Sequence, residues 1–394
     1  MISKHAQGLF ERFFNSEKVA GLILVFCTVL SLVLTNLVFG EQYVELMHNK
    51  IDLSFSGISL NYSIEHWVND GLMAIFFLMV GLEVERELYK GELAEFKKAI
   101  LPIVAAIGGI CIPSLIHFFL NKGTATQPGF AIPMATDIAF ALGMLALAGK
   151  RVPLSVKIFL TALAIIDDIG AILVIALFYT NTVIFSYLLV AAAILAGLFI
   201  LNRLKVKPLV FYILPGIVIW YCFLKSGVHA TIAGVLLAFV IPFDDDDDIN
   251  KSYTLLQILH KPVAFIILPI FAIVNTAILL PENIVESLNT SNSKGIIIGL
   301  TLGKLAGIFL FPFILVKLGL AKFQEGITWK TLAGIGLLGG IGFTMSMFIS
   351  NLAFEDAALV SSSKLSILIA STVAAILGLL VFFTNKTVTE KQLE

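Results

Sequence analysis

The chain reads as an all-α polytopic membrane protein with twelve transmembrane helices, and three observations predict it. Of its 394 residues, 58% are hydrophobic and only 13% charged, against about 25% charged in a soluble domain. Apolar runs close to the ~20 residues that a spanning helix needs recur along the whole chain. The Lys and Arg residues divide unevenly between alternate loops, as cytoplasmic loops should hold them. The mean hydropathy of +0.98 agrees. A net charge of −1 argues against nucleic acid as a partner, so the expected surrounding is the lipid bilayer.

The predicted spans are 19–39, 66–84, 99–120, 130–148, 154–178, 183–201, 208–224, 227–242, 258–280, 295–316, 329–350 and 365–383. An even number of spans puts both termini on one side. With that side cytoplasmic, Lys50, Lys122, Lys225, Lys294 and Lys364 fall outside and Lys304 falls within the membrane. The rest of the 26 Lys and Arg residues fall inside. One miscounted span would scramble this division. Residues 1–18 are then a cytoplasmic segment, 19–383 a single membrane domain and 384–394 a cytoplasmic tail.

The run from Val19 to Phe39 is long enough to cross, so it reads as a span rather than a cleaved signal. Phe10, Phe13 and Phe14 beside charged neighbours suggest a short helix on the membrane surface before it. Cys27, Cys111 and Cys222 each lie inside an apolar run, without the clustered spacing of a disulfide framework or zinc site. They read as small buried hydrophobes. In the first outside loop, Ile51, Leu53 and Phe55, then Ser56-Gly57, then Ile58, Leu60 and Tyr62 alternate about a turn dipeptide. That pattern predicts a β-hairpin. A lone hairpin is marginal in water, so it should pack on the protein or on a second copy of it.

The chemistry should lie at Asp167-Asp168, two adjacent carboxylates in the middle of the fifth span. A charge at the bilayer centre costs roughly 2.5–3.5 kcal/mol even on lenient scales, and neighbouring carboxylates oppose each other's ionisation. The pair needs protons, a counter-charge or a bound cation. Asp137 in the fourth span and Lys304 in the tenth are other ionisable groups placed deep in a span. Three carboxylates against one ammonium leave excess negative charge, which suits a small hard cation such as sodium or lithium. A salt-bridged quartet that only fixes helix packing adds little stability over matched hydrophobes.

Two spans look interrupted. Pro133 cannot donate to the ladder of the fourth span, and Thr136 and Asp137 follow it. The eleventh holds Gly339, Gly340, Gly342, Thr344 and Ser346 near its middle, where each glycine costs about 1 kcal/mol relative to alanine. Interrupted spans in corresponding positions of two halves mark a transport site. Spans 3–5 would correspond to spans 10–12 as an inverted repeat. Two discontinuous helices crossing at their gaps would oppose like partial charges. Asp137 near the N-ends and Lys304 near the C-ends are the candidates to relieve that repulsion.

The run Asp244-Asp245-Asp246-Asp247-Asp248 is one solid block in a loop. It lacks the second motif a prenyl-transferring enzyme would need, and reads as a solvated linker. An intramembrane aspartyl protease needs Tyr-Asp and Gly-x-Gly-Asp settings that do not occur here. No enzyme is expected, and no cofactor.

These residues resemble the bacterial NhaA-type sodium/proton antiporters. The matching stretches include Gly81-Leu82-Glu83-Val84-Glu85-Arg86-Glu87-Leu88, Pro133-Met134-Ala135-Thr136-Asp137-Ile138-Ala139-Phe140, Ala164-Ile165-Ile166-Asp167-Asp168-Ile169-Gly170-Ala171, Gly227-Val228-His229-Ala230-Thr231 and Gly340-Ile341-Gly342-Phe343-Thr344-Met345-Ser346. The resemblance implies an inner-membrane protein exchanging sodium or lithium for more than one proton, with Asp168 and Asp167 as carriers. By it Thr136 lends oxygen, Asp137 tunes the field, and Lys304 pairs with Asp167 when no cation is bound. Whether Asp167 or Lys304 carries the second proton stays open. It implies pH regulation through Glu83, Arg86, Glu87 and His229, and a homodimer joined by the periplasmic hairpin. Leu256-Gln257 stands where members often carry Glu-His, which leaves the pH setting open. A sodium-coupled symporter of an organic solute is the alternative, although few extra polar groups lie near the interruptions.

Overall fold

The computed structural model describes residues 4–55, 58–180, 183–244 and 250–384. Eight helices among them are long and apolar enough to cross a membrane: Glu17–Phe39, Ile64–Lys90, Lys97–Leu120, Leu154–Phe178, Phe185–Arg203, Lys251–Asn275, Ser291–Lys317 and Ala357–Phe383. Two bent pairs raise the number to ten if each pair is one span. Gln127–Met134 and Ile138–Leu147 meet at 40°, and Trp329–Gly339 and Phe343–Ala353 at 44°. Both predicted interruptions are therefore present. The first half of the first pair is a tight 3₁₀ segment rather than an α-helix, with Pro133 inside it.

The chain forms two compact units. The first comprises Met1–Val29, Glu92–Ala171 and Ile278–Glu394, and the second Leu30–Gly91 and Ile172–Ala277. In the first unit, Lys97–Leu120 and Ser291–Lys317 touch backbone to backbone. A methyl group on Gly108 would strike the Gly307 carbonyl, and one on Gly307 would strike that of Gly108. Small residues permit such an approach where lipid supplies no hydrophobic drive between helices. Further along the same contact, Gly303 lies against Pro113.

The second unit packs Leu82, Tyr212, Ile219, Ala238 and Ile241 into a buried cluster. Gly227 takes a left-handed conformation (φ +85°) at the end of Val210–Ser226, the conformation glycine adopts without penalty where a helix stops. The predicted span 227–242 accordingly contains only the 7-residue helix Ile232–Ala238, about 10 Å long. It is seated closely, because a methyl on Gly234 would meet the Ala74 carbonyl.

The hairpin forms as predicted. Lys50–Asp52 pairs antiparallel with Asn61–Ser63, with Ile51 opposite Tyr62, and a bridge between Phe55 and Ile58 continues the register. The turn residues Ser56 and Gly57 lie outside the described residues, as do Asp245, Asp246, Asp247 and Asp248 of the acidic block. Asp244 is described and pairs with Lys207 at 3.1 Å. Ile51, Leu53 and Phe55 are exposed.

Three expectations are corrected. The backbone runs as one helix over Lys4–Val33, with no separate surface helix before the first span. The span expected at 258–280 is the helix Lys251–Asn275, which starts earlier because Asn250 caps it by accepting from the Tyr253 amide. Cys111 is exposed, whereas Cys27 and Cys222 are buried, since a helix in apolar surroundings presents apolar residues outward as well as inward.

Candidate functional site

The first unit brings Thr136, Asp137, Asp167, Asp168, Lys304, Thr344 and the glycine break near residue 340 into one buried region. Asp167 and Lys304 are wholly buried, and Asp168, Asp137 and Thr344 nearly so.

The breaks position the outer parts of this site. At the first, the chain leaves helical geometry at Ala135 and re-enters it at Ile138, with Asp137 as the N-cap. Asp137 Oδ1 accepts from the Phe140 amide at 2.9 Å. Its Oδ2 accepts from the Thr344 amide at 3.1 Å and the Thr344 hydroxyl at 2.5 Å. Thr344 lies in the first turn of Phe343–Ala353, so one carboxylate serves the N-ends of two helices, where orphan amides and the partial positive charge favour an anion. The Asp137 amide in turn donates to the Ile341 carbonyl at 2.7 Å. The Ser346 hydroxyl donates to the Ile132 carbonyl at 2.7 Å, adding a fourth bond between the two broken helices.

At the centre, the Lys304 ammonium donates to Asp167 Oδ2 at 2.5 Å. The Thr136 hydroxyl lies 2.6 Å from the same oxygen and 2.8 Å from the Gly339 carbonyl, and shares its proton between them. Gly339 ends the helix Trp329–Gly339. The C-end carbonyl is thus met by Thr136, whereas Lys304 is committed to Asp167. The other oxygen of that carboxylate, Asp167 Oδ1, is buried with no hydrogen-bond partner among the described residues. Asp168 is close enough to bear electrostatically on the same ammonium. Adjacent helix residues point about 100° apart, so the two aspartates present different oxygens to the site.

Glycines at the second break make the crossing possible. A methyl on Gly340 would strike the Leu300 carbonyl, and one on Gly342 would strike the Ser346 hydroxyl. Pro133 packs against Gly299 on the helix that carries Lys304.

Glu83, Arg86, Glu87 and His229 belong to the second unit and do not form one cluster. The Arg86 guanidinium stands over the Tyr253 ring at 5.3 Å. His229 Nε2 lies 2.7 Å from the Tyr179 carbonyl, and the ring stands near Asp70, which is about 20 Å along the helix from Glu83. One buried acid of this unit was not singled out from the sequence: Glu85, whose Oε2 accepts from the Ser252 hydroxyl at 2.6 Å. Its signal was a carboxylate flanked by Val84 and two further charges, which does not separate a buried acid from an exposed one.

Comparison with known proteins agrees with this arrangement. The chain matches the family described as Na+/H+ antiporter 1 over residues 11–382. It is 55% identical over 375 residues to the Na(+)/H(+) antiporter NhaA of Dechloromonas aromatica, covering 94% of each chain. It is 52% identical over 371 residues to the protein of the same name from Flavobacterium psychrophilum, again covering 94% of each. To Na(+)/H(+) antiporter NhaA 2 of Clostridium beijerinckii it is 46% identical over 388 residues, covering 96% of each. The symporter alternative finds no support among these relatives. With a family match across nearly its whole length and relatives above half identity, the chain belongs to the Na+/H+ antiporter 1 family.

Proposed function

We propose that this protein is an electrogenic antiporter that exports sodium or lithium in exchange for protons at one buried carboxylate site. The observation that carries the reading is the state of Asp167. One oxygen is held by Lys304 and Thr136 while the other is buried and unpartnered among the described residues. A carboxylate in that state is an incomplete ligand set, and a hard cation completes it with oxygens.

The mechanism follows from competition. Sodium enters beside Asp168, its principal ligand, and draws Asp167 and the Thr136 hydroxyl into coordination. Asp167 then leaves Lys304, and the proton shared by that pair is given up. On the opposite side protons neutralise the carboxylates, sodium loses its ligands, and Lys304 returns to Asp167. One proton is carried on Asp168 and the second on the Asp167–Lys304 pair, so each cycle moves net charge. Asp137 holds the two N-ends together throughout.

The same reading extends to the whole chain. It crosses the inner membrane twelve times with both termini cytoplasmic, as one transporter domain over residues 19–383. The bent pairs then count as spans 4 and 11, and Val210–Ser226 and the segment around Ile232–Ala238 as spans 7 and 8. Spans 3–5 and 10–12 form an inverted repeat; what supports this is that both broken helices and all the site residues fall in one compact unit. The hairpin joins two copies, supported by the exposed Ile51, Leu53 and Phe55. Glu83, Arg86, Glu87 and His229 tune activity to pH.

The deciding experiment uses proteoliposomes in which sodium or lithium is added outside an imposed proton gradient and proton movement is followed. Asp168→Asn and Asp167→Asn are each expected to abolish cation-driven proton release. Full exchange in either variant overturns the assignment.

A further inference from the structure

The Thr136 hydroxyl has one proton and two acceptors, Asp167 Oδ2 at 2.6 Å and the Gly339 carbonyl at 2.8 Å. A hydroxyl donates once and keeps two lone pairs, so the choice of acceptor decides what else its oxygen can do. Donating to Asp167, it serves the carboxylate. Donating to Gly339, it leaves its lone pairs to a hard cation, which takes oxygen ligands.

The break in the second discontinuous helix creates this second acceptor. In a continuous α-helix the Gly339 carbonyl would accept from the amide four residues on, that of Phe343. Here the Phe343 amide donates instead to the Ser371 hydroxyl of Ala357–Phe383 at 3.2 Å. The two preceding carbonyls are already taken in the tightened last turn: the Gly340 amide donates to Leu337 and the Ile341 amide to Leu338, each at 3.0 Å. Among the described residues Thr136 is what remains for Gly339. Its carbonyl also carries the partial negative charge of the C-end of Trp329–Gly339. The residue is buried, and an added Cβ would stand 2.7 Å from Ile308 Cδ1, on the helix that carries Lys304.

Lys304 defines the state without cation, because its ammonium meets the same Asp167 oxygen as the Thr136 hydroxyl. Once a cation replaces the ammonium, the Asp167 and Thr136 oxygens face one positive charge together. A hydroxyl proton left between them would be repelled by that charge. The Gly339 carbonyl is the other acceptor, and the hydroxyl already reaches it.

We propose that the Gly339 carbonyl is the positioning acceptor for Thr136: it takes the hydroxyl proton when sodium or lithium binds, and so converts Thr136 from a donor to Asp167 into a cation ligand. The inference rests on the reading above that Asp167, Asp168 and Lys304 form the ion site. Groups that fix the orientation of a ligand tune the affinity of the whole site. A backbone carbonyl accepts and has no proton to lose, so this acceptor is present whether or not the aspartates carry protons.

The test uses the full chain in proteoliposomes, with glycine labelled at the carbonyl carbon and the amide nitrogen. Solid-state NMR filtered through that bond sees only glycine carbonyls followed by glycine, which in this sequence are Gly108 and Gly339. Gly339→Ala removes one of these signals and so identifies it; Gly109→Ala, which removes the other, serves if that variant does not fold. Adding sodium at a pH where it drives proton release is expected to move the Gly339 signal downfield, as a strengthened hydrogen bond does. Gly108 should stay in place, and potassium should move neither. Thr136→Val is expected to abolish the movement and to raise the sodium KM roughly tenfold or more with a smaller change in kcat, and Thr136→Ser to recover both. A Gly339 signal that sodium leaves unmoved in the unaltered protein overturns the proposal, as does the same movement in Thr136→Val. Asp168→Asn separates the two readings. Exchange persisting there refutes the ion site itself, whereas lost exchange with an unmoved Gly339 signal in the unaltered protein refutes only the role of the carbonyl.

Discussion

Asp137 and Lys304 are both buried charges, yet the structure uses them differently. Asp137 receives an amide or hydroxyl bond from each of two helix starts, so it acts as a double N-cap. Losing one such cap costs about 0.5–2 kcal/mol. Asp137→Ala is expected to lower the melting temperature more than Asp137→Asn, which keeps the accepting oxygen. A thermal melt in detergent checks the order, and equal losses would show that charge rather than capping matters. The Lys304 ammonium donates to Asp167, and removing one partner of a buried pair costs about 3–5 kcal/mol. Asp167→Asn should therefore destabilise the protein as well as silence it. Adding Lys304→Met should restore much of the stability without restoring exchange, since replacing a whole buried pair by apolar groups is often neutral. Recovery of exchange in the double variant would contradict the proposed role of the pair.

At the scale of elements, two features stand out. The first is the backbone approach of Gly108 and Gly307. Gly307→Val forces these helices apart; overpacking of this kind costs about 1–3 kcal/mol, and the displaced Lys304 should weaken sodium competition. The measurement is KM beside a thermal melt, and an unchanged KM would mean the lysine's position does not depend on this approach. The second is the hairpin. The Ser54 hydroxyl and amide hold the exposed Asp52 carboxyl below its ordinary value of 3.8. Because the folded value is depressed, this contribution is present above the usual carboxylate range and lost as pH falls through the folded value. Loosening of the hairpin is therefore expected as pH falls below the ordinary carboxylate range, which amide exchange in this segment can follow. On the proposed hairpin-joined dimer, removing residues 51–62 is expected to leave a monomer in light scattering, and an intact dimer would exclude the hairpin as the joint.

For the whole molecule, the proposed competition between protons and sodium at one site predicts a pH dependence. Raising pH strips protons from the carboxylates, so the apparent sodium KM should fall. The slope is about tenfold per pH unit for one displaced proton and about a hundredfold for two. Measuring KM across roughly pH 6 to 9 gives the number of competing protons directly, and a KM independent of pH would exclude a shared site. The four residues proposed to set the pH response should modify this slope, and because His229 stands near the end of the helix at Asp70 while Glu83, Arg86 and Glu87 lie about 20 Å along it, their variants should act additively.

Much of this protein was legible in its residues because membranes impose strict rules. Apolar runs, the Lys and Arg asymmetry and buried carboxylates each follow from the cost of polar groups in lipid. The interruptions showed as Pro133 and the glycines at 339, 340 and 342, and the hairpin as a period-two pattern about Ser56-Gly57. Other features had no local signal. Nothing in the order of residues distinguishes Glu85, bonded to Ser252, from its neighbours Glu83 and Glu87. The run after Gly227 is apolar enough to pass as a span although its helix is short. Nothing local to Gly339 shows that its carbonyl loses the Phe343 amide to Ser371, since that bond joins two different helices. The sequence by itself determined which groups are buried together and what chemistry they allow, because composition and spacing govern what lipid tolerates. Only the tertiary structure decided which oxygen of Asp167 is taken, which helices Asp137 caps and where the Lys304 ammonium points, because those depend on contacts between residues far apart in the chain.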